Sequence, residues 1–315
     1  MPAAALLGAQ PDEIAFLKNT TDGLLAVANG IRWQPGDNVV VAEGEFPANV
    51  YPWLNLRERG VEVRWVPERA GRLRVGDFAD AIGANTRALA VSSVEFLSGF
   101  RNDLPALGRL CRERGVLFVV DAIQSLGVFP LEVSALGIDC LAADGHKWLL
   151  GPEGCALFFC SRRALNQLQV AGLGWAGVAS AYNFLSYDTT LYPDARRFET
   201  GTHNTAGIAG LKASIDFLLE VGIPAISTRV LELAEYLGAG LERKGFDLLS
   251  SRAASETSGI VTCSSPRHRS QELYQALRSG GVISSLRGGY LRLSPHFYNT
   301  IDELERALHL LPDAN

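Results

Sequence analysis

Two ionisable residues, Asp121 and Lys147, are the first candidates for chemistry in this sequence. Asp121 closes the apolar run VLFVVD, which predicts a carboxylate at the carboxyl end of a buried strand. Such a carboxylate needs a cation or several donors, or it caps the helix that follows. Lys147 lies in the glycine-bounded segment DGHKWLLGPEG. Partial desolvation there would make it a nucleophilic amine, and an exposed loop lysine is the alternative.

A third candidate is the segment NTTDGLLAVANGI, in which Asn19, Thr20 and Thr21 precede a helix with apolar periodicity. Hydroxyl groups and free amides at a helix N-terminus suit a phosphate, and a simple capping box is the alternative. No GxGxxG pattern follows an early strand, and the P-loop pattern is absent. The sequence therefore argues against a nicotinamide dehydrogenase built on a Rossmann domain.

The elements that must position these residues are short apolar strands that alternate with helical patterns, which predicts βαβ units and a mainly parallel sheet. The predicted strands are Asn38–Ala42, Val61–Val66, Arg87–Ser92, Val116–Asp121, Asp139–Ala143 and Gly154–Cys160. The predicted helices between them are Pro47–Arg59, Val75–Ile82, Leu104–Arg114 and Leu131–Ala135. Ligands collect at the carboxyl ends of the strands in such sheets, which is where Asp121 lies.

The pattern changes near Ala206. Two long helical segments are followed by a strand, a helix, a strand pair and a last helix, at 207–222, 225–244, 259–263, 270–279, 282–293 and 301–311. We therefore expect a large α/β domain over residues 1–218 and a smaller α+β domain over residues 219–315.

Composition excludes several classes of protein. The 315 residues include 29 Lys and Arg and 34 Asp and Glu, which gives a net charge of −5. This balance does not indicate a basic surface that would bind nucleic acid or an anionic membrane. The apolar runs are far shorter than the roughly 20 residues of a membrane span, and no signal peptide is recognisable. The five cysteines show no CxxC pair and no metal-ligand spacing. We expect a cytoplasmic protein with reduced, buried thiols.

Six motifs in order give the sequence a strong resemblance to a known family. They are NTTDG, EFPANVYPW, VVDAIQSLG, DGHKWLLGPEG, RFETGTHN and YLRLSPHFYNT. Together they resemble the aminotransferase class V family of fold-type I pyridoxal-phosphate enzymes, which includes cysteine desulfurases, kynureninases and isopenicillin N epimerase-like proteins. The resemblance implies pyridoxal 5′-phosphate as cofactor, a mainly parallel mixed sheet flanked by helices, and a smaller C-terminal α+β domain.

The resemblance also implies roles for the residues around the cofactor ring. Lys147 matches the Schiff-base lysine, and Asp121 matches the partner of the pyridinium nitrogen. Gln124 matches the hydrogen bond to the ring's phenolic oxygen. Phe46 takes the ring-stacking position, a role that requires only a flat π-face. His146, directly before the lysine, is expected to contact the phosphate.

For the phosphate, the resemblance implies a cradle at Thr20 and Thr21. Asp144 stands where the family has a Ser or Thr ligand, and a carboxylate there repels phosphate unless a cation or a proton intervenes. Gly201 and Thr202 match a contact made across a dimer interface, which implies a homodimer with shared active sites. Arg292 matches the arginine that clamps the substrate α-carboxylate.

Three further departures bear on the reaction. Phe96 stands where desulfurases have an Asn, and no cysteine occurs between Val282 and Arg292, where desulfurases carry the persulfide-forming residue. The family also has a longer segment before the NTT motif, so we expect this chain to lack the N-terminal part of the family fold.

The expected substrate is an amino acid, attacked at its α-carbon. Aminotransferase is the first choice, because transamination is the least demanding chemistry of the family. A lyase of the kynureninase or cysteine/selenocysteine lyase type, without the usual desulfurase cysteine, and a non-catalytic scaffold are the alternatives.

Overall fold

The computed structural model describes residues 1–185 and 187–314, and its main feature is a seven-stranded sheet. The strands are β1 (Ile14–Leu17), β2 (Asn38–Ala42), β3 (Glu62–Val66), β4 (Thr86–Ser92), β5 (Leu117–Asp121), β6 (Cys140–Asp144) and β7 (Ala156–Cys160). Their order is β1-β7-β6-β5-β4-β2-β3. The five strands from β3 to β6 in this order run parallel, whereas β7 pairs antiparallel with β6 and with β1. The expectation of a mainly parallel mixed sheet is confirmed.

Helices cover this sheet because its strands are apolar on both faces. Every residue of β2, β5, β6 and β7 is buried. The helices are α1 (Pro2–Leu7), α2 (Thr20–Gly30), α3 (Tyr51–Leu54), α4 (Val75–Ala81), α5 (Leu104–Arg114), α6 (Val133–Leu136), α7 (Arg162–Leu165) and α8 (Thr205–Val221). Gly23 lets α2 approach the sheet closely, because a Cβ at this position would lie 2.7 Å from that of Ala142.

One helix predicted from the sequence was wrong in this part. Residues 47–59 form three short turns, Pro47–Asn49, Tyr51–Leu54 and Asn55–Arg59, because Pro47 is the first residue of the first turn and Pro52 the second residue of the next, positions where proline interrupts a longer helix. The edge strand β1 and the helix α1 were not predicted at all. The strand β6 begins and ends one residue later than expected, at Cys140 and Asp144.

The chain divides into two compact units. The first comprises residues 1–67, 74–93 and 104–223, and the second comprises 68–73, 94–103 and 224–315. The division after α8 falls between Ile223 and Pro224, whereas the sequence analysis placed it between residues 218 and 219, within what is a continuous helix.

The second unit is built on a four-stranded antiparallel sheet of order β10-β11-β9-β8. Its elements are α9 (Ile223–Arg243), β8 (Asp247–Leu248), β9 (Val261–Ser264), α10 (Ser270–Ser279), β10 (Ser285–Arg287), β11 (Tyr290–Leu293) and α11 (Ile301–Leu310). A core of leucines from α9, α10 and α11 packs with β9 and β11. The expected smaller α+β segment is confirmed. Among the described residues, no helix has the length and apolarity to cross a membrane.

Candidate active site

Asp121 lies at the carboxyl end of β5 and is only 2% exposed. Its Oδ1 accepts a hydrogen bond from Ile123 N (3.0 Å), so one oxygen caps the following turn, as the simpler sequence interpretation expected. Its Oδ2 is buried and has no hydrogen-bond partner among the described residues. Burial raises the pKa of Asp121 to about 6, and the charge of Lys147 acts in the opposite direction. The second oxygen is therefore available to a cationic partner.

Lys147 lies in the tight loop between β6 and β7. Gly145 N donates to Cys155 O (2.9 Å), and Gly151 N donates to Gly145 O (2.8 Å), which closes the loop. Leu150 has a positive φ of 56°, an unusual conformation for a residue with a branched side chain. Such strain persists only where the surroundings enforce it. The loop therefore holds the half-buried Lys147 in a defined position.

Gly127 allows the backbone of the turn after Asp121 to pack closely against the loop that carries Lys147. A Cβ on Gly127 would lie 2.7 Å from Trp148 O, and its φ of 102° also favours glycine. The backbone of the VVDAIQSLG motif thus packs directly against the residue that follows Lys147. Gln124 lies buried in the intervening turn.

Phe46 follows β2 and is 39% exposed. The Nζ atom of Lys147 lies 5.6 Å from the centre of its ring. We call Phe46, Asp121 and Lys147 the strand-end cluster. It combines an amine, a buried carboxylate oxygen and an accessible aromatic face at the carboxyl ends of β2, β5 and β6, where parallel sheets bind ligands.

The N-terminus of α2 lies beside the end of β6. Asn19 caps the helix, because its Oδ1 accepts a hydrogen bond from Asp22 N (2.9 Å). The buried Thr20 accepts one from Asp144 N through Oγ1 (3.0 Å), and Thr21 is half-buried in the same turn. The first-turn amides of a helix have no partner within the helix and suit an anion.

Asp144 and His146 face each other at this point. His146 Nδ1 lies 3.1 Å from Asp144 Oδ1, although the contact lacks the geometry of a hydrogen bond. Asp144 is buried and His146 is exposed. The histidine ring therefore lies directly beside this carboxylate.

These residues fit pyridoxal phosphate. The unpartnered Oδ2 of Asp121 suits a protonated ring nitrogen, and the Phe46 face suits a flat ring. Lys147 supplies an amine, and the start of α2 supplies donors for a phosphate.

Gly201 and Thr202 lie elsewhere in the first unit. They line a groove of about 610 Å³ together with Lys18, Asp22, Asn29, His203 and others, none of which belongs to the strand-end cluster. We call this space the α2–α8 groove. Its most buried carboxylate, Glu199, is fully engaged, because Oε1 accepts from Phe16 N (3.0 Å) and Oε2 lies 2.9 Å from His203 Nε2.

Arg292 lies on β11 in the second unit. Its Nη1 donates a hydrogen bond to Phe96 O, within the same unit, and its buried Nε has no hydrogen-bond partner among the described residues. Burial lowers the pKa of Arg292 to about 10, with a contribution from the charge of Arg287. A guanidinium with a free buried N–H suits a carboxylate ligand.

Sequence reasoning missed Glu45, the residue before Phe46. Its carboxyl group is buried and accepts hydrogen bonds from Ser92 N and Ser92 Oγ at the end of β4. The signal was an acidic residue shortly after an apolar strand, inside a motif already noted for Phe46.

The chain is similar to known proteins over nearly its whole length. A model of the family described as aminotransferase class-V matches residues 2–306. A probable cysteine desulfurase of Methanothermobacter thermautotrophicus is 34% identical over 96% of this chain and 79% of its own length. An uncharacterized aminotransferase of Bacillus subtilis is 29% identical over 97% of this chain and 80% of its own.

Among solved structures, the cysteine desulfurase of Thermococcus onnurineus NA1 superposes with a TM-score of 0.91. The two are 26% identical, and the match covers 98% of this chain and 80% of that one. Similarity of this extent, in both sequence and fold, shows that these proteins are homologous. The chain belongs to the aminotransferase class-V family and is a pyridoxal-phosphate-dependent enzyme.

Proposed function

We propose that this chain is an aminotransferase acting at the α-carbon of an amino acid. The observation that supports the proposal most directly is the strand-end cluster, where an amine lies close to an aromatic face and to an unpartnered carboxylate oxygen. Transamination needs a base that moves a proton at the α-carbon and a group that keeps the cofactor ring protonated. The cluster contains one residue suited to each task.

When bound, pyridoxal phosphate supplies an electron sink for the negative charge that develops at the α-carbon. Asp121 Oδ2 would hold the ring nitrogen in its protonated form. Lys147 would hold the cofactor through its Nζ amine and would move the α-proton of the substrate as general base. Phe46 would hold the face of the ring, and Gln124 would hold its phenolic oxygen.

Residues at the start of α2 would bind the phosphate. Thr20 and Thr21 contribute hydroxyls and first-turn amides, and His146 adds a ring N–H beside Asp144. Gly201 and Thr202 of a second copy would complete this cradle, so we propose a homodimer with shared sites. Arg292 would bind the α-carboxylate of the substrate through its planar guanidinium.

The state of the thiols favours transamination over persulfide transfer. All five cysteines are buried, and burial raises the pKa of Cys111 and Cys263 to about 12 and that of Cys155 to about 11. A thiolate is the nucleophile in sulfur transfer. A desulfurase reaction that ends on a cysteine of this chain therefore has no suitable acceptor.

A panel of amino acids, offered with a keto acid as amino acceptor, tests the proposal. We expect the donor's keto acid and the acceptor's amino acid to form in equal amounts. The Lys147→Ala variant should form neither product, whereas Lys212→Ala should behave like the wild type, because Lys212 is an exposed residue paired with Asp216. Release of ammonia or sulfide without a new amino acid would contradict transamination.

The second candidate is a lyase acting on cysteine or a related amino acid. It is favoured by the similarity to relatives that are named cysteine desulfurases. Because no protein thiol is suited to accept sulfur, such a lyase would transfer the sulfur of cysteine to an added thiol as a persulfide and release alanine; a second equivalent of thiol would then reduce the persulfide to sulfide. Formation of alanine and sulfide from cysteine with an added thiol, in the absence of a keto acid, would identify this reaction.

A further inference from the structure

Glu45 makes contacts that differ from those of an ordinary structural carboxylate. Ser92 N donates to its Oε1 (2.5 Å), and Ser92 Oγ lies within hydrogen-bond distance of its Oε2 (2.6 Å). Among the described residues it forms no ion pair with a lysine, arginine or histidine. The groups that contact the carboxyl group, Ser92 and the side chain of Asn49, are thus neutral.

The surroundings disfavour a charge on this carboxyl group. Glu45 is buried, and burying a carboxylate without a cation carries a large desolvation cost. The titratable group whose charge acts on it is Asp121, at the end of β5, and Asp121 in turn faces Lys147. Burial, with the charge of Asp121, raises the pKa of Glu45 to about 8 and outweighs the hydrogen bonds from Ser92 and Asn49, which act in the opposite direction. Two neighbouring carboxyl groups of this kind titrate apart, with Asp121 the first to ionise.

The contact of Glu45 with Ser92 fixes the end of β4, the strand that pairs with β5 beside Asp121. Ser92 is directly opposite Asp121 in the parallel pairing of β4 and β5. The next residue, Ser93, donates from its backbone N–H to Asp121 O (2.8 Å), and its Oγ bonds both Asp121 O (3.1 Å) and Ser125 Oγ (2.5 Å). Glu45 therefore ties the segment after β2 to Ser92, whose neighbour Ser93 holds the Asp121 backbone.

We propose that Glu45 is a positioning residue for Asp121: an uncharged acid that fixes the end of β4 and leaves the negative charge of this strand edge on Asp121. The assignment builds on the proposed function of Asp121, but its own contacts are independent of any cofactor. In the acid form, Oε1 still accepts from Ser92 N, whereas the contact between Oε2 and Ser92 Oγ reverses its direction, so that the Oε2 hydroxyl donates and Ser92 Oγ accepts. A second carboxylate charge beside Asp121 would alter the proton affinity of the bound ring.

The Glu45→Gln variant reproduces the uncharged acid, because its Oε1 accepts and its Nε2 donates in the same two places. Infrared spectra of the full chain, recorded with and without pyridoxal phosphate, should show the carbonyl band of a protonated acid at neutral pH. We expect this band to disappear as the pH rises through about 8 in the wild type. It should be missing in Glu45→Gln and retained in Glu43→Gln, where the exposed glutamate two residues earlier is changed.

Cofactor binding provides the second readout. Glu45→Gln should bind pyridoxal phosphate within about twofold of the wild type. In the wild type, ionisation of Glu45 at a pH of about 8 should change the visible absorbance of the bound cofactor, and this change should be absent from Glu45→Gln. Glu45→Ala, which loses both contacts to Ser92, should bind about tenfold more weakly, a loss equivalent to about one hydrogen bond.

Two results would overturn the proposal. One is an infrared band that is missing from the wild type, which shows that Glu45 is charged at neutral pH, or a band that persists unchanged in Glu45→Gln, which shows that the protonated acid is another residue. The other is equal cofactor affinity in Glu45→Ala and the wild type. If no chain binds the cofactor, the proposed function fails, whereas the infrared result still decides the state of Glu45. Should Glu45→Gln fail to fold, glutamate-specific ¹³C labelling of the wild type would assign the band through its isotope shift.

Discussion

The strand-end cluster and the α2–α8 groove both belong to the first unit, yet they differ in how their polar groups are satisfied. In the groove, Glu199 has a partner on each oxygen, Phe16 N and His203. In the cluster, Asp121 keeps one buried oxygen without a partner among the described residues. Buried polar groups in proteins are normally paired, so an exception indicates a ligand position.

The comparison also separates two kinds of site residue. Within one chain, Lys147 Nζ lies 5.6 Å from the centre of the Phe46 ring, and its charge acts on Asp121. Gly201 and Thr202 line a groove that contains no member of the cluster. We propose that these two residues contact the phosphate bound by a second copy of the chain. The chemistry would then depend on one chain, and cofactor retention would depend on two.

The largest expected effect distinguishes the lysines of the two regions. Lys147→Ala should abolish the visible absorbance of bound cofactor, because the amine that binds it is gone. Lys18→Ala, which changes a residue lining the groove, should retain the absorbance. Ultraviolet–visible spectra of both variants after incubation with pyridoxal phosphate provide the test. The reverse outcome would move the site from the cluster to the groove.

Asp121→Asn should have the next largest effect. The amide cannot hold the ring nitrogen in its protonated form, so we expect kcat to fall by about 100- to 1,000-fold with the fold intact. Exchange of the substrate's α-proton with deuterium, followed by NMR, measures the affected step directly. Asp80→Asn, on the exposed side of α4, is the matched control. An unchanged exchange rate in Asp121→Asn would remove Asp121 from the mechanism.

The same residue predicts a pH dependence of stability in the cofactor-free chain. Burial raises the pKa of Asp121 from 3.8 to about 6, so the folded state holds this proton more tightly than the unfolded state does. Its contribution to stability is therefore present at low pH and declines as the pH rises from about 4 to about 6, by about 3 kcal/mol. Urea unfolding across this range should show a shallower decline in Asp121→Asn than in the wild type.

The sequence predicted the parts of the molecule whose causes are local. Strands buried on both faces appear as apolar runs, which is why β2, β4 and β5 were found close to their observed bounds. The short strand β1 was missed because its four residues are defined by antiparallel pairing with β7, far along the chain. The apolar periodicity between residues 47 and 59 suggested one helix, although Pro47 and Pro52 divide this segment into separate short turns.

The candidate site divides in the same way. Motif order indicated Lys147, Asp121 and Phe46, because each lies within a short, recognisable segment. Glu45 was overlooked because its significance depends on Ser92, which lies 47 positions later and meets it only in the folded chain. Residue types near a motif can be inferred from the sequence, whereas the partner that sets a residue's protonation state depends on tertiary structure.

A smaller effect is expected from the glycine that supports the cluster. Gly127→Ala should destabilise the chain by about 2–4 kcal/mol, since the added Cβ meets Trp148 O at 2.7 Å and φ is 102°. Gly36→Ala isolates the cost of a positive φ, because φ is 90° there and nothing lies within 4 Å of the added Cβ. Urea unfolding should show a clearly larger loss for Gly127→Ala. Equal losses would mean that the turn does not pack against the lysine loop.

The smallest expected effect lies in the groove and tests the shared site. Thr202→Ala removes one hydroxyl, worth about 1 kcal/mol, so cofactor affinity should fall about fivefold while the oligomeric state stays unchanged. Thr205→Ala is the matched control, because this exposed threonine lies three positions later at the start of α8.

Sedimentation of the loaded protein, combined with titration of pyridoxal phosphate, measures assembly and affinity on the same sample. A two-fold dimer makes each interface contact twice, so one substitution weakens both sites together. A wild-type chain that retains the cofactor fully as a monomer would contradict the shared site. Equal weakening by Thr202→Ala and Thr205→Ala would show that the effect belongs to the start of α8 and not to a phosphate contact. A loss confined to Thr202→Ala in a dimer would connect the groove of one copy to the cluster of the other.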